Sequence, residues 1–169
     1  QSTVPLSTHP ETVRRLNVAV DDLDATIRDI RRTIFELRPP LTAQLRTEIR
    51  ESIEMAAAAL GFTPALELTG PVDSAVPEAV RPDLLAVLRE ALSNAVRHAH
   101  ATAVQVRLRV TGDRLSLTVA DDGVGTDPAA ARGGLINMRE RAAGHGGHFE
   151  IHAAQPRGTV LDWSVPLRD

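Results

Sequence analysis

The segment 115–135, "LSLTVADDGVGTDPAAARGGL", sets the tightest limit on what this chain can fold into. It opens with apolar and polar residues in alternation, the mark of a half-buried strand. It then reaches Asp-Gly, among the strongest short hairpin signals. A hairpin needs a second alternating strand, and "VGTDPAAARGG" cannot be one. The strand therefore runs into a polar loop bracketed by Gly123, Gly125, Gly133 and Gly134, and then into the helical pattern "LINMRERAA" at 135–143. Eight of the eleven glycines lie between Gly123 and Gly158. Glycine-rich backbone leading into a helix N-terminus exposes N–H groups and suits a phosphate.

The remaining pattern places helices and strands around that segment. Residues 1–10 are polar, carry two prolines and read as a disordered lead-in. Val13, Leu16, Val20, Leu23, Ile27, Ile30, Ile34 and Leu37 then alternate spacings of 3 and 4, an unbroken heptad seam that Pro39 and Pro40 end. So narrow a seam suits a second helix, in a coiled coil or bundle, or else the core of its own domain. A second helix is expected over 43–60, with Gly61 as its C-cap, and a strand over 64–69. A strong helix covers 82–99, strands cover 103–110 and 114–120 around a "TGD" turn, and two further strands, "HFEIHAA" and "TVLDWSV", close the chain. This order predicts a two-layer α+β sandwich, one mixed sheet with helices on one face, preceded by the long heptad helix. The divisions are 1–10, 11–40 and 41–169.

Composition removes several classes of function. With no cysteine, disulfide frameworks and thiol chemistry are excluded. A formal net charge of −3 offers no basic field for nucleic acid. The longest apolar run, "MAAAAL", is too short to span a membrane, and no signal-peptide pattern opens the sequence, so a cytoplasmic location without membrane contact is expected. Aromatics are 2% of residues, so the core must be aliphatic, with Trp163 packed into it.

On the 82–99 helix, at 100° per residue, Leu84, Leu85, Leu88, Leu92, Ala95, Val96 and Ala99 share a core face. Glu90, Asn94 and Arg97 lie away from it. Glu90 and Asn94 are one turn apart, and a carboxylate beside an amide oxygen suits Mg²⁺ and proton transfer. Arg139, Glu140 and Arg141 read as a charged helix face. The pairs His98/His100 and His145/His148 lack partners at metal-ligand spacing and read as structural or solvated.

Three segments together resemble the ATP-binding motifs of the GHKL superfamily (gyrase, Hsp90, histidine kinases, MutL). "REALSNAVRHA" at 89–99 is similar to the N box, "DDGVG" at 121–125 to the D-x-G-x-G box, and "RGGLINMRERA" at 132–142, with "GT" at 158–159, to the second glycine box and closing strand. The wording "GLINMRERA" and a heptad helix ending "DIRRTIFELRPP" are similar to sensor histidine kinases with NarL-type regulators, including actinobacterial kinases of the DevS/DosS kind. The resemblance implies the Bergerat fold, a cytoplasmic histidine protein kinase with ATP and Mg²⁺ as cofactors, a homodimer through residues 13–37, and a NarL-type response regulator as partner. It implies that Asp121 accepts a hydrogen bond from the adenine amino group, with Gly123 and Gly125 allowing close approach to the base. Asn94 would coordinate Mg²⁺, Glu90 occupies the general-base position of the ATPase members, and Arg97 or His98 would reach the phosphates. Gly133, Gly134 and Leu135 would form the lid end over the triphosphate, and Thr159 would lie near the adenine.

Three features depart from the pattern. The lid between Gly125 and Gly133 is very short. Asp122 stands where many members have Asn and adds negative charge near the ligand. None of the six histidines has the phosphoacceptor context, a His followed by an acidic residue within a long helix, so the phosphoryl group would go to a histidine absent from this chain. An anti-sigma-type serine kinase of the same superfamily is a second reading, against which the heptad helix argues. A dimerisation module with a regulatory nucleotide site is a third, against which intact Glu90, Asn94 and Asp121 argue.

Overall fold

The computed structural model describes residues 45–125 and 133–167. They belong to the second of two units into which the chain divides, Thr42–Asp169. The lead-in, the heptad helix and the loop 126–132 lie outside the described residues.

Helix α1 (Leu45–Leu60) is followed by strand β1 (Ala65–Thr69), a short helix α2 (Val72–Ala75) and helix α3 (Arg81–Asn94). A π-helical turn (Ala95–Ala99) extends α3. Strands β2 (Val104–Thr111) and β3 (Arg114–Asp121), helix α4 (Gly133–Gly144), and strands β4 (His148–Ala153) and β5 (Thr159–Pro166) complete the fold. The five strands form one sheet in the order β1-β2-β3-β5-β4. β1 pairs parallel to β2, and all other pairs are antiparallel. This is the expected mixed sheet of an α+β fold.

The alternation seen in the sequence decides the register. Leu108, Leu117, Trp163 and Phe149 stand side by side across β2, β3, β5 and β4. All four are buried on the face that the helices cover. Their neighbours point the other way, where Thr118 donates to Asp162 (2.6 Å) and Arg109 pairs with Glu67 (3.1 Å). α1 buries Leu45, Ile49, Ile53 and Ala56 along one stripe. Its one buried polar side chain, Ser52, donates to the Glu48 carbonyl (2.8 Å), so no hydroxyl is left unpaired there.

The β2–β3 turn is tighter than "TGD" suggested. Thr111 and Arg114 pair directly, leaving Gly112 and Asp113 as a two-residue loop with Gly112 at φ 60°. A glycine with positive φ in the first loop position belongs to a type II′ turn. The end of α3 also differs from expectation. The last five residues wind as a π-helix that closes on His100 in the left-handed region (φ 48°). The wider winding turns Val96 out of the core arc, leaving it 36% exposed, while Val87 and Ala91 complete the buried arc of α3.

Trp163 is fully buried, and its indole N–H has no partner among the described residues, so its contribution is volume. Its fluorescence should be blue-shifted in the folded protein. Trp163→Ala should cost about 3–5 kcal/mol in chemical denaturation. Arg109→Ala, which removes only an exposed ion pair, should cost less than about 1 kcal/mol.

Candidate functional site

A cleft of about 550 Å³ opens between α3, its π-helical turn, the first turn of α4, and the ends of β3 and β5. Glu90, Asn94, Arg97, His98, Asp121, Gly125, Gly134, Leu135 and Thr159 all line it. Gly123 and Gly133 do not. The cleft is floored by Ala91, Ala95, Ala99, Val119, Ile151 and Leu161, small or aliphatic residues that suit a flat apolar ring. A wider hollow of about 880 Å³ lies on the opposite face of the sheet, around Gln105, Ala120, Val160 and Pro156. Asp121 borders it too, together with Asp122, but neither Glu90, Asn94 nor any of the glycines does.

One wall of the cleft is the end of β3. Asp121 is half-buried, and its Oδ1 accepts hydrogen bonds from the Gly123 amide (2.9 Å) and the Thr159 amide (3.3 Å). Among the described residues Oδ2 has no partner, which leaves an acceptor for an amino group. Gly158 sits so close above the Asp121 carbonyl that a side chain there would collide with it, and its φ of 106° also favours glycine. The "GT" motif therefore closes directly over Asp121.

Gly123 is buried against the Ala99 carbonyl, where a Cβ would clash. The next amide, Val124, donates to the same carbonyl (2.8 Å). At Gly123, then, the close approach is between two stretches of backbone.

Asp122 is the main correction. Its Oδ1 accepts the amides of Thr102 (2.7 Å) and Ala103 (2.9 Å), and its Oδ2 accepts the Thr102 hydroxyl (2.5 Å). The carboxylate is thus tied into the loop before β2 and does not line the cleft with Asp121. The Thr102 hydroxyl first, and then the Ala103 amide, hold its pKa down to about 2, against an ordinary value of 3.8.

The opposite wall is α3. Its crossover position brings Glu90 and Asn94 side by side at the rim, both half-buried. α4 begins at Gly133, so both glycines belong to its first turn. Gly134 lies against the end of the Glu90 side chain, which a Cβ there would push aside, whereas Gly133 faces open space.

The far end of α4 is clamped. Asp83, in the first turn of α3, receives Arg141 through Oδ1, while His145 Nε2 lies 2.8 Å from its Oδ2. Arg141 therefore belongs to an interhelical clamp, which corrects its reading as part of a charged face. The clamp joins residues 58 and 62 positions apart. Among the described residues no cluster of three or more His, Cys, Asp or Glu could hold a metal ion, and no helix is long and apolar enough to cross a membrane.

A helix-covered mixed sheet with a carboxylate at one strand end, an Asn-bearing crossover helix opposite, and a glycine-flanked helix start between them defines a nucleotide-binding α+β sandwich. The sequence pattern of the histidine kinase-, DNA gyrase B- and HSP90-like ATPases matches residues 79–169, and the chain belongs to that family of ATP-binding domains. It is 32% identical over 149 residues to the sensor histidine kinase LnrJ of Bacillus subtilis, covering 88% of this chain and 35% of the relative. It is 32% identical over 161 residues to the sensor histidine kinase NarS of Mycobacterium tuberculosis, covering 91% and 37%. The chain thus spans about a third of the length of these relatives. The fold matches the histidine kinase domain of a blue-light activated histidine kinase from Erythrobacter litoralis, with a TM-score of 0.52 and 24% identity over 71% of this chain and 61% of that one.

Gly134→Ala should weaken binding of a non-hydrolysable ATP analogue by no more than about threefold, because the added methyl pushes aside only the end of the Glu90 side chain. Gly133→Ala should leave it unchanged; calorimetric titration of both variants checks this. Because the folded pKa of Asp122 lies below its unfolded value, its contribution to stability is present above pH 4 and is lost as pH falls through about 2. Asp122→Asn cannot titrate, so its melting temperature should fall less steeply between those limits.

Proposed function

We propose that residues 41–169 are the ATP-binding catalytic domain of a cytoplasmic two-component sensor histidine kinase, which transfers the γ-phosphoryl group of ATP to a histidine that this chain does not supply. The observation that carries the proposal is that Asp121 and Asn94 face one cleft from opposite walls, with the start of α4 against Glu90 between them. Similarity to sensor histidine kinases along most of the chain supports it further.

In this reading the free oxygen of Asp121 accepts the adenine amino group, and Thr159 holds the carboxylate in place by its amide. The apolar floor takes the ring. Arg97 and His98, at the exposed end of the π-helical turn, reach the phosphates, and the first-turn amides of α4 beneath Gly134 and Leu135 face them from the other side. Asn94 and Glu90 present hard oxygen donors of the kind that would hold Mg²⁺ beside the phosphates. Bound there, Mg²⁺ supplies neutralisation of the phosphate charge. The protein's task is mainly to position the γ-phosphorus in line with an incoming imidazole nitrogen, so that the bond to ADP breaks as the phosphorus–nitrogen bond forms. A homodimer formed through residues 13–37 would pack against the helix that carries that imidazole, which this chain does not supply, and a NarL-type response regulator would receive the phosphoryl group.

Asp121→Ala should lower ATP-analogue affinity by at least about tenfold, since it removes a charged acceptor. Fusing a helix that carries the phosphoacceptor histidine should restore transfer in the parent protein, and Asn94→Ala should abolish it. Tight ATP binding with no transfer after fusion would instead favour a regulatory nucleotide site.

A further inference from the structure

Asp122 lies just outside the cleft, yet it is the most heavily bonded side chain beside it. We propose that Asp122 is a positioning residue for adenine selection. It acts through Asp121 by fastening the strand end that carries the adenine-facing carboxylate to the helix end that carries Asn94, Arg97 and His98. The inference rests on the reading of Asp121 as the partner of the adenine amino group.

The π-helical turn ends at Ala99, and the chain returns to the sheet through Thr102 and Ala103. All three hydrogen bonds accepted by Asp122 come from those two residues. The Asp122 amide donates back to the Ala103 carbonyl (3.2 Å), and two residues later Val124 donates to the Ala99 carbonyl (2.8 Å). Between these ties lies Gly123, pressed against Ala99, and its amide is the shorter of the two bonds that hold Asp121 Oδ1. Thr102 and Ala103 therefore hold Asp122, Asp122 holds Gly123, and Gly123 aims Asp121. With the Asp122 side chain removed, three of the five bonds that flank the Gly123 amide are lost and only the two backbone ties remain, so the Asp121 carboxylate is held less firmly at one position. The low pKa of Asp122 agrees with this, because the carboxylate stays ionised and fully bonded throughout the neutral range. Asparagine can keep the tie: its oxygen can accept the two amides while its amide group donates to the Thr102 hydroxyl. Alanine cannot.

The test compares ATP with ITP, which carries a carbonyl where adenine has its amino group. Affinities for both are measured by calorimetric titration on the full chain and on Asp122→Ala, Asp122→Asn and Thr102→Val. The parent protein should prefer ATP. Asp122→Ala should lose about tenfold of that preference, with ATP affinity falling and ITP affinity nearly unchanged, the scale expected for loss of one well-placed charged hydrogen bond. Asp122→Asn should retain the preference, and Thr102→Val, which removes only the hydroxyl tie, should lose part of it even if the alanine variant does not fold. An unchanged ATP-to-ITP ratio in both Asp122→Ala and Thr102→Val, or equal loss of both ligands, overturns the proposal, because a purely structural role weakens both alike. A parent protein that binds ATP and ITP equally overturns the adenine assignment of Asp121 and this proposal with it.

Discussion

The parallel pairing of β1 with β2 is the constraint on which the rest of the structure depends. Parallel neighbours cannot be joined by a tight turn; the chain has to cross back over one face of the sheet. α3 makes that crossing, and a helix laid across a sheet must bury a broad apolar arc. Leu84, Leu88, Ala91 and Leu92 supply it. Once that arc is seated, Glu90 and Asn94 have one place to go, the rim over the end of β3, where Asp121 stands. The two walls of the cleft are therefore consequences of strand order and helix packing, and need no dedicated scaffold.

The cleft's third side depends on a different interaction. α4 would be free to swing about its glycine-rich start if only its apolar residues held it. Asp83 holds its far end through Arg141 and His145, and Met138 and Ala142 seat its inner face. The near end, at Gly134, then meets the end of the Glu90 side chain. A fixed far end and a glycine near end allow the start of the helix to adjust to phosphates without disturbing the core.

Much of this was legible in the sequence, for a physical reason. Strand alternation has a period of two and helix burial a period near 3.6, so the four strands with clean alternation and the inner face of α3 could be read directly. The motif residues could be read because they are close in sequence or recur in a fixed order. What escaped was contact between distant residues and local departure from ideal winding. Val96 turned outward because the helix widened, which a 100° projection cannot anticipate. Asp122 reads as excess charge near a ligand because its partners, Thr102 and Ala103, lie 20 and 19 positions earlier. Arg141 looked solvated because Asp83 is 58 positions away. Gly158 was visible as part of "GT", but its close packing on the Asp121 carbonyl was not.

The central claim is that ATP occupies the cleft between α3 and the ends of β3 and β5. The most direct measurement is an amide chemical-shift map of the ¹⁵N-labelled protein during titration with a non-hydrolysable ATP analogue and Mg²⁺. With the nucleotide in that cleft, the largest shifts fall on Asn94, Gly123, Gly134, Leu135 and Thr159. Shifts concentrated instead on Gln105, Ala120 and Val160, over the hollow on the other face of the sheet, would contradict it.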